Sequence, residues 1–187
     1  MAVHVLDSQG RRQGLPGNKS KIYTVGKYGS PRVAIHPAST LVYRAATMTA
    51  NPNVWTLVTF DTTPFPTSTY GQPPMWESTQ SLPAHVYIRE SGWYLLSASI
   101  RFDTDGIGGA TVFHTGFRIY TNQAGYPLLS GRMHCPNQYE FPQSGEIVYY
   151  LADNDTVRLY VTHTYTSALT VLGGISNASL SVARLCS

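Results

Sequence analysis

Residues 92–102 have the sequence GWYLLSASIRF, and the alternation in this stretch decides the fold class. Every second side chain from Tyr94 to Phe102 is apolar, whereas the alternate positions after Leu95 are polar. Successive side chains of a β-strand point to opposite faces, so this period of two predicts a long strand with one face on a core. Trp93 and Leu95 fall on the opposite face.

Shorter alternating stretches lie on both sides of this strand. Three precede it, at residues 33–35, 41–43 and 54–60, and four follow it, at residues 113–119, 147–151, 157–161 and 180–182. Glycine-, asparagine- and aspartate-rich turns separate several of them. No stretch has the period of an amphipathic helix. We therefore predict an all-β protein with an antiparallel sandwich or jelly roll.

The excess positive charge of the chain lies at its front. Residues 1–50 hold seven basic side chains against one acidic side chain, and residues 51–187 hold six arginines against nine acidic side chains, which together give the net charge of +3. Glycines and a proline interrupt every period before residue 30. We predict an extended, irregular basic arm over residues 1–45, before a jelly-roll domain over residues 46–187. The side chains expected to dock this arm on an anionic partner surface are Arg11, Arg12, Lys19, Lys21, Lys27 and Arg32.

Four segments of the chain carry a resemblance to a known family. They are Trp55–Asp61, Ile88–Phe102, Tyr149–Val161 and Ser176–Cys186. The second contains a Gly-X-Tyr-hydrophobic strand, and the third a polar turn followed by Val-X-Leu-X-Val. In these features residues 46–187 resemble the tumour-necrosis-factor-like jelly roll, including the complement-type globular heads.

The resemblance implies a compact homotrimer with aromatic side chains buried along a threefold axis. Trp93 and Leu95 are the candidates for that interface. The alternative is that both side chains cover a second apolar side inside the sandwich.

Similar jelly rolls occur on tailed bacteriophages, as head decoration proteins and as tail-tip or fibre heads. The first residues show no secretory signal pattern, so we expect a protein made in the host cytoplasm and carried on the virion. The first hypothesis is a non-enzymatic, trimeric capsid decoration protein, whose basic arm binds the major capsid protein and stabilises the shell.

The second hypothesis is a tail-tip or fibre head that recognises a host surface glycan or protein. Residues 64–75 contain four prolines and predict a long loop. Tyr70 and Trp76 are the candidate receptor contacts, because aromatic side chains stack on sugars and form hot spots of binding energy.

The motifs of catalysis and phosphate binding are missing from the sequence. It has no Gly-X-Ser-X-Gly elbow and no Gly-X-X-X-X-Gly-Lys loop. A carbohydrate-active β-sandwich is a third hypothesis, but we expect no enzyme and no cofactor. His114 and His163 could share a face, although histidines in β-proteins are more often structural.

Metal, nucleic-acid and membrane roles also have little support. Asp103 and Asp105 resemble the start of a calcium loop, but a polar turn is the favoured interpretation. The basic charges are too widely spaced for a nucleic-acid arm, and no apolar run reaches the length of a membrane span. Cys135 and Cys186 are expected to be two reduced thiols, with a disulfide as the alternative.

Overall fold

The computed structural model divides the chain into two units, Met1–Pro37 and Ala38–Ser187. The residues that it describes are 4–6, 12–14, 22–25, 31–34, 39–64, 74–77, 80–105, 107, 112–136 and 142–186. Every regular element among these residues is a β-strand. No helix that could cross a membrane occurs in this part of the chain.

The first unit forms short β-ribbons where the sequence predicts an irregular arm. Strand β1 (His4–Leu6) pairs antiparallel with β2 (Arg12–Gly14), and β3 (Ile22–Val25) pairs with β4 (Pro31–Ala34). The prediction of irregular structure was wrong for β1, β2 and β3, because three or four residues between glycines show little alternation. The predicted alternation that begins at Val33 overlaps β4. Composition does indicate a strand at residues 22–25, since all four side chains are β-branched or aromatic.

The second unit begins at Ala38, so residues 39–45 belong to it rather than to the arm. Its first strand pairs with the last strand of the chain, and no local sequence pattern predicts a contact over that distance. The strands of this unit are β5 (Ser39–Tyr43), β6 (Met48–Ala50), β7 (Thr56–Leu57), β8 (Val86–Tyr87), β9 (Gly92–Ile100), β10 (Phe102–Asp103), β11 (Val112–Thr121), β12 (Leu129–Pro136), β13 (Gln143–Leu151), β14 (Thr156–His163), β15 (Leu169–Val171) and β16 (Ala178–Cys186).

These strands form two main antiparallel sheets and one small sheet. The first sheet has the order β13-β9-β16-β5, and the second has the order β12-β11-β14-β7, with β8 also pairing with β14. The small sheet has the order β10-β15-β6. Neighbouring strands within each main sheet are mostly distant in sequence, as in a jelly roll rather than a chain of hairpins.

The predicted strand at residues 92–102 is divided between two sheets. β9 ends at Ile100, and Phe102 pairs with Val171 in the small sheet. The Leu172 amide donates a hydrogen bond to the Arg101 carbonyl at this corner. The alternation itself is retained across the corner, because Ile100 and Phe102 are both buried.

The inward side chains of both main sheets form one hydrophobic cluster. Tyr94 and Leu96 from the first sheet and Phe117 from the second are among its largest members. The Phe117 ring lies over two glycines, Gly131 on β12 and Gly145 on β13, where side chains would collide with it. The absence of side chains at these two positions therefore makes room for an aromatic ring between the sheets.

We predict that Gly131→Ala destabilises the protein. A methyl group there would overlap the Phe117 ring, and overpacking of this kind costs about 1–3 kcal/mol. The free energy of unfolding in urea measures the loss. The matched control is Gly125→Ala, since an added Cβ there meets nothing within 4 Å. Equal stability of both variants would contradict this account of the glycine.

Candidate assembly and ligand-binding surfaces

The outer face of the first sheet carries an apolar band at one end. Cross-strand pairing brings Trp93 beside Tyr150, and places Leu95 between Val148 and Ala183. Trp93, Val148 and Tyr150 are 46%, 49% and 47% exposed, which is high for large apolar side chains. We call these five residues the apolar band. The Trp93 and Tyr150 rings meet edge to face with centroids 5.7 Å apart.

The other end of the same face is mostly small and polar on three of its four strands. The outward positions there are Ser97 and Ser99 on β9, Ser144 and Glu146 on β13, and Ser179 and Ser181 on β16. The edge strand β5 places Tyr43 opposite Ser179 and Leu41 opposite Ser181. Across β13, β9 and β16 the face therefore changes from apolar to serine-rich along the direction of the strands.

The outer face of the second sheet has a different composition. In the register, Arg132 lies opposite Gly116, Arg118 opposite Tyr160, and Arg158 opposite Tyr120. Each of these arginines is thus one strand across and two residues along from the next. We call Arg132, Arg118 and Arg158 the arginine row. Diagonal neighbours of this kind have Cβ atoms about 7–8 Å apart, so the three arginine side chains leave the sheet along one line across β12, β11 and β14.

Aromatic side chains fix the middle of this row. The Arg118 guanidinium stacks on the Trp55 ring at 3.9 Å from its centroid, and its Nη1 donates to the Tyr120 hydroxyl at 3.5 Å. The Tyr120 and Tyr160 rings pack edge to face with centroids 5.3 Å apart. Such cation–π contacts hold a guanidinium in place without neutralising its charge.

The arginine row has no counter-charge of its own in the described part of the chain. None of the strands of the second sheet contains an aspartate or a glutamate. Arg184 on the first sheet, in contrast, forms an ion pair with Glu90. The Nε atoms of Arg118 and Arg158 are buried and have no hydrogen-bond partner among the described protein groups.

Solved structures with a similar fold are known, but no protein family matches the chain. No protein-family model and no curated protein matches the chain. Among solved structures, the Eiger TNF of S. frugiperda is similar at a TM-score of 0.50 and 12% identity, covering 80% of this chain and 93% of that one. The globular domain of zebrafish complement 1qA has a TM-score of 0.50 and 14% identity, covering 79% and 96%. Murine APRIL has a TM-score of 0.50 and 11% identity, covering 79% and 99%.

The second unit has the TNF-like jelly-roll fold. The predicted fold class is thereby confirmed, since the sheets are antiparallel and the similar structures belong to that class. At identities this low the likeness shows the fold alone, so assembly, ligand and location need arguments from the residues of this chain.

Trp76 is predicted as a receptor contact, but its side chain is buried inside this TNF-like unit. Its side chain is 1% exposed, and its Nε1 donates to the Pro83 carbonyl at 2.8 Å. The prediction was wrong because a tryptophan in a proline-rich segment can turn into the core, where burial of its large apolar surface stabilises the folded protein. Tyr70 lies outside the described residues.

Asp103 and Asp105 form a turn. The Asp103 carboxylate accepts the Asp105 amide at 3.1 Å, the hydrogen bond of an Asx turn. In the described part of the chain, no three His, Cys, Asp or Glu side chains lie close enough to hold a metal ion.

The candidate histidines lie on opposite faces of the second sheet. His114 is on the outer face, where its Nε2 lies 3.3 Å from the His134 Nδ1. His163 pairs with Thr115, points inward and is fully buried. The prediction that His114 and His163 could share a face was therefore wrong. His163 lies opposite Thr115, which follows His114 on β11, and successive side chains of a strand point to opposite faces.

The remaining predicted residues are only partly within the described chain. Arg12 lies in β2 and Arg32 in β4, whereas Arg11, Lys19, Lys21 and Lys27 fall outside the described residues. Cys135 belongs to the second sheet and Cys186 to the first, but their side chains are not described. Docking by the arm and the state of the thiols stay predictions.

The arginine row was missed by the sequence analysis. Its members alternate with core residues on their strands, as in Phe117-Arg118-Ile119 and Val157-Arg158-Leu159, so their outward direction could have been predicted. Their alignment depends on the register between strands, which no local pattern contains.

His163 predicts a pH dependence of stability. Because the Ala50 carbonyl only accepts, the His163 Nε2 carries the proton of their 2.8 Å hydrogen bond. Burial lowers the pKa of His163, and the hydrogen bond to Ala50 opposes that effect. The unfolded chain therefore binds a proton before the folded chain does as the pH falls below about 6.5, and stability decreases by at most about 1.4 kcal/mol per pH unit.

Unfolding in urea at pH 7.5, 6.5 and 5.5 tests this, with His163→Gln as the comparison. The wild type is expected to lose more stability below pH 6.5 than the variant does. The pKa of His85 is also lowered, by burial and then by the Arg158 cation, but that effect is common to both proteins. Parallel pH profiles for the two proteins would contradict the assignment.

Proposed function

We propose that this chain is a non-enzymatic structural protein of a tailed-phage virion, whose TNF-like unit associates in threes and whose basic N-terminal arm, here called the leader (residues 1–37), binds the capsid. The observation that carries the proposal is the apolar band on the first sheet. An exposed tryptophan, tyrosine and valine in one contiguous group are unusual on a monomer and typical of an interface.

The geometry of the band suits contact with copies of the same chain. Trp93 and Tyr150 provide large, rigid contact areas, while the serine-rich end of the face lets another surface approach closely. The resemblance of residues 46–187 to the TNF-like family implies a homotrimer, and closed symmetry would bury all three bands together.

The leader supports attachment to a separate, acidic surface. Six basic side chains are concentrated in residues 11–32, whereas residues 51–187 carry an excess of acidic side chains. Three leaders per trimer would bind multivalently, so weak individual contacts would add up to stable attachment at a capsid. Charge would accelerate the encounter, and β-ribbon residues such as Val33 would add apolar contact.

The described side chains favour a structural role over catalysis. His163 is buried against Ala50, and His114 contacts another histidine rather than a nucleophile. The tail-tip alternative loses Trp76 as a receptor contact, because that side chain is in the core.

Charge in the apolar band is expected to dissociate the trimer. Each protomer of the double variant Trp93→Glu, Tyr150→Glu would bury two unpaired carboxylates, which is more costly than the apolar contact is stabilising. Sedimentation equilibrium should give about three times 20.5 kDa for the wild type and 20.5 kDa for the variant. The control is Tyr126→Glu, since Tyr126 is 65% exposed outside the band. A wild-type monomer would sink the assembly part of the proposal.

Removal of residues 1–37 is expected to abolish capsid attachment and leave the trimer intact. The cut lies at the division between the two units, before the first strand of the main sheets. Co-sedimentation with capsids that lack the protein measures attachment, and sedimentation equilibrium measures assembly. Undiminished attachment of the shortened chain would show that the leader is not the anchor.

A further inference from the structure

We propose that the arginine row is a binding site for a linear acidic polysaccharide, whose carboxylate or sulfate groups pair with Arg132, Arg118 and Arg158. The site lies on the second sheet and is separate from the apolar band. It goes beyond the proposed assembly role, because it requires neither a trimer nor the leader.

The first argument is charge complementarity. Three arginines stand in line on strands that hold no acidic residue, although residues 51–187 as a whole contain more acidic than basic side chains. A uniformly distributed surface charge would place carboxylates near at least some of these arginines. Their segregation instead leaves three cations for a ligand with anionic groups.

The second argument is preorganisation. Arg118 is stacked on Trp55 and bonded to Tyr120, and the Arg158 Nη2 donates to the Thr121 carbonyl at 3.4 Å. These two guanidinium groups are therefore held in place before a ligand arrives, so less side-chain entropy is lost on binding. A fixed guanidinium presents paired N–H donors that match a carboxylate or sulfate group.

The third argument concerns which polyanion fits a sheet face. β11 pairs with β12 on one side and with β14 on the other, so its backbone groups are already used in ladders. β12 is an edge of this sheet, so a peptide added as a strand would lie beside β12 and would not run across Arg118 and Arg158. A ligand that follows the arginine row is therefore recognised by side chains.

The same face offers poor stacking platforms for nucleic-acid bases. One face of Trp55 is covered by Arg118, and Tyr120 and Tyr160 pack edge to face against each other. Single-stranded nucleic acids rely on open aromatic faces as well as on charge. A polysaccharide has hydroxyl groups for the tyrosines and anionic groups spaced along an extended chain, so it uses what this face presents.

The test is fluorescence anisotropy of the full-length chain with labelled probes. The probes are an alginate decasaccharide for carboxylates, a dextran sulfate decasaccharide for sulfates, neutral dextran of the same length, and a twenty-nucleotide oligothymidylate. We expect at least one acidic glycan to bind, the neutral glycan not to bind, and affinity to fall as salt is added.

Substitutions locate the site. The double variant Arg118→Gln, Arg158→Gln is expected to weaken glycan binding by about tenfold or more, because two charge-assisted contacts are lost. Arg132→Gln changes an exposed side chain and is expected to weaken binding by about threefold with an unchanged melting temperature. The Arg132→Gln variant still tests the site if the double variant fails to fold.

The matched control is Lys19→Gln, Lys21→Gln, which removes the same charge from the leader. Retained glycan binding by this variant supports the site, whereas an equal loss in both double variants would mean that only net charge matters. Tighter binding of the oligothymidylate than of either acidic glycan, or wild-type affinity in all arginine variants, would overturn the proposal. None of these outcomes depends on capsid attachment or on the trimer.

Discussion

Burial of one face of β9 is the constraint on which the rest of the structure depends. Tyr94, Leu96 and Ile100 are fully buried, and β9 lies inside the first sheet between β13 and β16. Since neighbouring side chains of a strand point to opposite faces, burial of these residues forces Trp93 and Leu95 outward. The core and the candidate assembly surface are therefore determined by the same pairing.

The two main sheets share one core and present different chemistry outside it. The first sheet exposes large apolar side chains beside a serine-rich end, whereas the second exposes arginines among aromatic rings. Core packing does not require this difference, because outward positions tolerate most residue types. This TNF-like jelly roll thus has two chemically different outer faces, one with the apolar band and one with the arginine row.

Much of the fold was predictable, because alternation is a local property of a strand. The pattern at residues 92–102 correctly assigned the inward and outward side chains of β9, although the strand changes sheets after Arg101. Trp76 was misassigned because its segment has no period, and its burial depends on contacts such as the hydrogen bond to Pro83. Strands β1, β2 and β3 were missed because three or four residues between glycines show little alternation.

By itself, the sequence determined that the chain is all-β, that β9 has one core face, and that basic charge is concentrated at the front. Only the tertiary structure aligned Arg132, Arg118 and Arg158, and only it brought Trp93 beside Tyr150. The physical reason is the range of the interactions. Side-chain direction follows from the geometry of one strand, whereas register follows from hydrogen bonds and packing between strands that are far apart in the chain.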